Sequence, residues 1–128
     1  MLKNHTILIV DDDPLNLRLL ERLLKREFTV ITADDAKAAL EILETEQISL
    51  LITDQQMPQM SGIELLQKSR AINEQMVRMM VTANRDSKTF IDAIRGAGAV
   101  RVITKPWDPD KVLRDIRGAL DRYALEAE

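Results

Sequence analysis

Cysteine is absent from the 128 residues, which excludes disulfides, thiolate nucleophiles and Cys-based metal sites. Histidine occurs once, as His5 near the start of the chain, where it reads as a solvated side chain and not as a ligand or general base. No apolar run approaches the ~18 residues of a membrane-spanning helix. Met1–Thr6 is too short and too polar for a signal peptide. No repeat, low-complexity tract or linker interrupts the sequence. An excess of positive charge is also missing. The formal net charge is −3, and a mildly acidic domain lacks the electrostatic footprint of a nucleic-acid binder. If this protein controls transcription, another domain or partner has to touch the DNA. These absences lead to the expectation of a cytoplasmic protein with no membrane or nucleic-acid contact of its own.

What is present is the mixture of a globular domain, with 45% hydrophobic and 30% charged residues. The length suits one domain, residues 1–128, with enough chain to bury a core. Two kinds of segment alternate. Thr6–Val10 (TILIV), Phe28–Thr32 (FTVIT), Ser49–Thr53 (SLLIT), Met76–Val81 (MVRMMV) and Val100–Thr104 (VRVIT) are short, apolar and β-branched, and predict five strands. Arg78 weakens the fourth, and Arg101 is expected to point away from the core.

Between them run amphipathic segments. Leu17, Leu20 and Leu24 follow Pro14 at helical spacing, and Pro14 suits a first helical turn. Asp34 or Asp35 can cap a second helix with Ala36, Leu40 and Leu43 inward. Ser61-Gly62-Ile63-Glu64 matches a capping box opening a third helix to about Ala71, with Ile63 and Leu66 inward. A fourth is expected over about Ser87–Arg95 with Ile91 and Ile94 inward, stopped by Gly96 and Gly98. Asp108 and Pro109 read as cap and first residue of a fifth, whose buried row is Leu113, Ile116, Leu120 and Tyr123. Leu125–Glu128 either extends it or frays.

Strands alternating with helices imply an α/β fold, a parallel sheet covered on both faces. Pattern alone leaves the strand order open. It does place residues just after strands one, three, four and five at one edge of the sheet, where open α/β sheets bind ligands. Asp11, Asp12 and Asp13 follow strand one, Asp54 follows strand three, Thr82, Ala83 and Asn84 follow strand four, and Thr104, Lys105 and Pro106 end strand five.

Each has a bland interpretation: an acid after a strand is often a helix cap, and Asp13 fits that role. A terminal Thr reflects β-propensity, and a Lys before Pro is often a solvated loop residue. Four strands delivering suitable groups to one place raise the odds. Carboxylates within ~4 Å repel by ~4 kcal/mol at an effective dielectric near 20, so the cluster calls for a shared cation. Oxygen ligands without His or Cys point to Mg²⁺. A metal, a lysine and a hydroxyl around one carboxylate make a phosphoryl-transfer site, with Asp54 as nucleophile forming an aspartyl phosphate. The small Ala83 beside Thr82 leaves room for the phosphoryl group.

The blocks ILIVDDDP, LLITDQQMPQMSG, MMVTAN and ITKPW, in this order and spacing, resemble the receiver domain of two-component response regulators over essentially the whole chain. The resemblance implies a doubly wound, flavodoxin-like (CheY-like) sheet in order 2-1-3-4-5. It implies that Asp54 is the phospho-acceptor. Asp12 is then the direct Mg²⁺ ligand, Asp11 acts largely through water, and the Gln56 main-chain carbonyl is a further ligand. Thr82 is the switch hydroxyl, Lys105 pairs with the phosphoryl group, and Lys105–Pro106 is a cis peptide bond.

The implied partners are a sensor histidine kinase or histidine phosphotransfer protein, docking near Pro14, Leu15, Arg18 and Pro106. An output domain or effector would be reached through helix four, strand five and helix five. There Lys88, Asp92, Arg95, Arg101 and Asp115 could form a homodimer seam or simply a solvated face. Gln56 and Asn84 are expected to tune phosphate lifetime. Many receivers carry Tyr or Phe three residues before the lysine; this chain has Val102, which cannot act as an aromatic toggle.

The domain is expected to be a switch and not an enzyme. Aspartate-dependent phosphatases place a second acid two residues after the nucleophile, and here that position is Gln56. A pseudo-receiver with a dead site is disfavoured by the full set Asp11, Asp12, Asp54, Thr82 and Lys105. The final helix could run on into a linker, so the unit either stands alone or belongs to a longer regulator.

Overall fold

A computed structural model of the protein describes residues 5–83, 88–99 and 101–127. Five strands and five helices alternate: β1 (Thr6–Val10), α1 (Pro14–Leu24), β2 (Thr29–Ala33), α2 (Ala36–Thr45), β3 (Leu50–Asp54), α3 (Gly62–Ile72), β4 (Val77–Thr82), α4 (Lys88–Gly96), β5 (Arg101–Thr104) and α5 (Pro109–Ala127). All neighbouring strands are parallel, in the order β2-β1-β3-β4-β5. No described helix is long and apolar enough to cross a membrane.

Successive strand residues point to opposite faces, and the apolar strands therefore feed two cores. On one face Ile7, Ile9, Ile52 and Met79 pack with Leu20 and Leu24 of α1 and Ile116 and Leu120 of α5. On the other, Leu8, Val10, Leu51 and Met80 pack with Ala39 and Leu43 of α2, Leu65 and Leu66 of α3, and Ile94 of α4. Each buried Leu or Ile contributes ~1.5–3 kcal/mol. Caps fix where the helices start. Asp13, Asp35 and Ser61 accept from the backbone N–H groups of Leu15, Ala38 and Glu64 at 2.9, 2.7 and 3.2 Å. Asp35, not Asp34, is the cap of α2. Glu27 and Arg117 form a two-point ion pair, with Nε to Oε2 at 2.8 Å, that ties α5 to the turn before β2.

Several side chains sit differently from the periodic expectation. Ala39 and Leu65 take the innermost positions, and Leu40 and Ile63 are half-buried beside them, as is Ile91 in α4. Phe28 precedes β2 and is buried against the α1–α5 core. The expected inward side chain of Tyr123, the helix start at Ser87, the strand start at Val100, the side chain of Asn84 and the terminal Glu128 lie outside the described residues.

Arg78 is the largest departure. It is a fully integrated residue of β4, with 3% of its surface exposed. Its Nε donates to Ser69 Oγ at 2.8 Å, and its terminal nitrogens donate to the carbonyls of Met76 at 2.7 Å, Glu74 at 3.2 Å and Asn73. Burial pulls its pKa down, with the charge of Arg70 adding to the effect. Carbonyl oxygens of the turn after α3 solvate the guanidinium in place of water. Arg78→Met should strand these acceptors at ~1–3 kcal/mol, read in thermal unfolding as a Tm lower by several degrees. An unchanged Tm would refute this account.

Candidate functional site

Asp54 ends β3 and is itself part of the strand, opposite Val81 in β4. Only 7% of it is exposed, which is deeper than an acid at a strand–loop junction would suggest. The chain then turns sharply, and the Gln56 N–H donates back to Asp54 Oδ2 at 3.1 Å. Lys105 Nζ, at the end of β5, meets Asp54 Oδ1 at 2.7 Å. The Lys105–Pro106 peptide is cis, as the resemblance implies. The Lys105 N–H donates to the Thr82 carbonyl at 2.9 Å, so the ends of β4 and β5 are joined at the site. Burial works against the Lys105 ammonium, but its hydrogen bond to Asp54 and the charges of Asp54, Asp11 and Asp13 outweigh this and raise its pKa.

Asp11 and Asp12 follow β1. Asp11 is buried and accepts the Asp13 N–H on Oδ1 at 2.9 Å, whereas Asp12 is exposed. One carboxylate oxygen from each of Asp11, Asp12 and Asp54 lies within 4.8 Å of the others. Burial, then the charges of Asp54 and Asp12, push the Asp11 pKa up. A crowded, partly dry cluster of oxygen donors has the chemistry of a hard divalent cation site, so the set fits Mg²⁺. Thr82, 5% exposed, lines the same recess as Asp54, Gln55, Gln56, Ala83 and Lys105. The structure thus brings Asp11, Asp12, Asp54, Gln56, Thr82 and Lys105 together at one sheet edge. Asp13 is a helix cap that also adds to the field on Lys105.

Two supporting residues, Gln55 and Gly62, stand in the block LLITDQQMPQMSG but carry no assigned role there. The Gln55 side-chain oxygen accepts the Ile63 N–H at 2.9 Å, and the Gln55 carbonyl accepts the Gly62 N–H at 2.9 Å. These bonds seat the N-terminus of α3 directly on the backbone of the acceptor loop. A Cβ at Gly62 would collide with the Asp54 carbonyl oxygen and lie 3.0 Å from both Gln55 Cα and Met80 Cε. Backbone cannot give way as a flexible side chain can. Gly62→Ala should therefore displace the Asp54 loop and slow the phosphate uptake expected at Asp54 roughly tenfold, given how steeply reaction depends on positioning. Uptake at the native rate, in a timed acetyl phosphate assay, would exclude such a shift.

On the proposed output face, Asp92, Arg95 and Arg101 are exposed. Asp115 is not: its side chain is 15% exposed and is held by Lys111 at 2.8 Å within α5. The side chain of Lys88 lies outside the described residues. On α1, Pro14, Leu15 and Arg18 are exposed, and so is Leu19; Leu15 is 58% and Leu19 45% exposed.

A five-stranded parallel sheet in this order, with acids, a hydroxyl and a lysine at its C-terminal edge, defines the receiver class of signalling domain. A family profile of the response regulator receiver domain matches residues 7–117. The chain belongs to that family, whose members are regulatory switches. It is 34% identical over 123 residues to the hydrogenase transcriptional regulatory protein HoxA of Bradyrhizobium diazoefficiens, covering 96% of this chain and 25% of that protein. A 14.6 kDa protein encoded in the sodA1 3' region of Leptolyngbya boryana is 38% identical over 111 residues, 84% of each chain. Among solved structures, a CheY-like response regulator receiver domain protein from Methanospirillum hungatei superposes with a TM-score of 0.90 at 34% identity, covering 95% of this chain and 98% of that one. The chain spans about a quarter of the length of HoxA from either organism in which it is matched.

Proposed function

We propose that residues 1–128 form one receiver unit that accepts a phosphoryl group on Asp54 and switches conformation in response. The observation that carries this is the direct pairing of a buried carboxylate with Lys105, beside Thr82 and the Asp11–Asp12 pair. A cytoplasmic histidine kinase or histidine phosphotransfer protein would present a phosphohistidine. Its docking surface would be the exposed Pro14, Leu15 and Arg18 of α1 with the Pro106 loop. An Asp54 carboxylate oxygen attacks phosphorus in line; the P–N bond breaks and its electron pair leaves with the imidazole. Asp11, Asp12, Asp54 and the Gln56 main-chain carbonyl would hold Mg²⁺, which when bound supplies positive charge to offset the phosphoryl oxygens.

Lys105 is already in place to transfer its contact from the carboxylate to the phosphoryl group, and the Thr82 hydroxyl can donate to the same group. Moving a two-state equilibrium from 1:99 to 99:1 takes ~5.5 kcal/mol, and two or three charge-assisted contacts supply much of that. The change is expected to leave through α4, β5 and α5 toward an output domain or effector. Gln56, lining the recess, would tune how long the phosphate survives. The test is incubation of the chain with acetyl phosphate and Mg²⁺, which should load one acid-labile phosphate. Failure of the native chain to take up any phosphate would overturn the assignment.

A further inference from the structure

Thr104 ends β5, one residue before Lys105, and lies directly opposite Thr82 in the β4–β5 register. Alternation along β5 puts Thr104 on the face of Val102, which packs on the core containing Met80 and Ile94. The same alternation along β4 puts Thr82 on the face of Met80. Neighbouring strands lie about 4.7–4.9 Å apart, which leaves paired threonines on one face within reach of a hydroxyl–hydroxyl bond. At rest they do not. The Thr104 hydroxyl oxygen is buried without a hydrogen-bond partner, alone in this among the side-chain polar atoms of the described residues. The backbone between the two is fixed, because the Lys105 N–H donates to the Thr82 carbonyl at 2.9 Å.

We propose that Thr104 is a positioning residue for the phosphorylated site, donating to the Thr82 hydroxyl oxygen once Thr82 donates to a phosphoryl oxygen on Asp54. This rests on Asp54 being the acceptor. A threonine hydroxyl has one proton to donate and two lone pairs to accept with. Thr82, committed as donor to the phosphoryl group, keeps the capacity to accept. Thr104 has a proton with nowhere else to go. The resulting chain, Thr104 to Thr82 to phosphoryl oxygen, strengthens each bond through mutual polarisation.

The unsatisfied hydroxyl raises the energy of the resting arrangement and is relieved in the phosphorylated one, so it biases the equilibrium toward the switched state. With valine at position 102, no aromatic ring is available on this face of β5 to follow Thr82. The Thr82–Thr104 pair links the two strands in its place.

The test compares the full chain with Thr104→Val, which keeps the shape and removes the hydroxyl, and Thr104→Ser, which restores it. Beryllofluoride with Mg²⁺ stands in for the phosphoryl group, and the methyl resonance of Thr82 reports the position of that side chain. Thr104→Val should lower the ratio of switched to resting Thr82 about fivefold, the equivalent of one net hydrogen bond. It should leave the Tm of the unphosphorylated protein unchanged or higher, because a buried unsatisfied group has gone. Thr104→Ser should restore the native ratio.

A native ratio in Thr104→Val, a ratio not restored by Thr104→Ser, or a Tm that falls together with switching would each overturn the proposal. Phosphate uptake from acetyl phosphate separates the two levels. Uptake by both native protein and Thr104→Val isolates the role of Thr104. No uptake by the native protein overturns the assignment of Asp54, and this proposal with it.

Discussion

Asp54→Asn is expected to reduce uptake of acid-labile phosphate from acetyl phosphate and Mg²⁺ to background, a loss on the order of a hundredfold or more. The substitution is close to isosteric. Its single amide oxygen can replace one of the two carboxylate acceptors, either Oδ2 for the Gln56 N–H at 3.1 Å or Oδ1 for Lys105 at 2.7 Å, and the amide nitrogen then faces the other donor. What disappears is the anionic nucleophile. The fold should survive, because removing the charge also removes repulsion with Asp11, for which Asp54 is one of the causes of a raised pKa. The control is a Tm within a few degrees of the native value. Undiminished labelling of a folded Asp54→Asn protein would sink the assignment of the acceptor.

The second large effect concerns Asp11 and has two opposite signs. Asp11 is 3% exposed, and burial is the main reason its pKa is raised. A carboxyl group whose folded pKa lies above its unfolded value is protonated more easily in the folded state. Its contribution to stability is therefore lost as pH rises through that window, and at neutral pH the charged form is a full penalty. Asp11→Asn keeps an oxygen for the Asp13 N–H, which Asp11 Oδ1 accepts at 2.9 Å, and removes the charge.

The metal-free variant should melt higher than the native protein at neutral pH. The gap should close as pH falls toward the ordinary aspartate range, where the native Asp11 is neutral too. In the same variant, Mg²⁺ affinity should fall roughly tenfold or more, since ligand charge sets affinity at such sites. Titration followed by the fluorescence of Trp107, two residues from Lys105, measures it. A lower Tm in the metal-free variant together with native Mg²⁺ affinity would contradict both halves.

The elements most legible in the sequence were those whose residues all serve one purpose. Ile7–Val10 and Leu50–Ile52 are apolar throughout because strands covered on both faces demand it, and both runs are buried in strands of the structure. Parallel strands fix which ends share an edge, so Asp11, Asp12, Asp54, Thr82 and Lys105 could be placed together from the chain alone. Strand order came from family resemblance, since periodicity carries no information about neighbours in space.

What escaped were residues whose partners are distant or are backbone. Arg78 looked like a flaw in β4 because its solvating carbonyls belong to the turn after α3. Asp115 looked exposed because its lysine lies one helical turn earlier in α5. Gly62 and Gln55 stand in the block that carries the resemblance, but their structural role is not legible there, because it is a contact between the start of α3 and the acceptor loop.

The strand register also has a consequence for how the molecule comes into being. Among the described residues the sheet contains no hairpin: Thr6 meets Thr29, Leu50 meets Val77 and Met79 meets Arg101, each pair separated by a helix in the chain. The widest separation is between β1 and β3, where Ile7 meets Leu50. Loop-closure entropy grows with the length enclosed, and non-local pairing of this kind slows folding. The carboxylates of Asp11 and Asp54 stand at the ends of those two strands. A chain caught during synthesis or refolding, before β1 closes onto β3, holds Asp54 apart from Asp11 and Asp12, so the acidic cluster exists only in the finished fold.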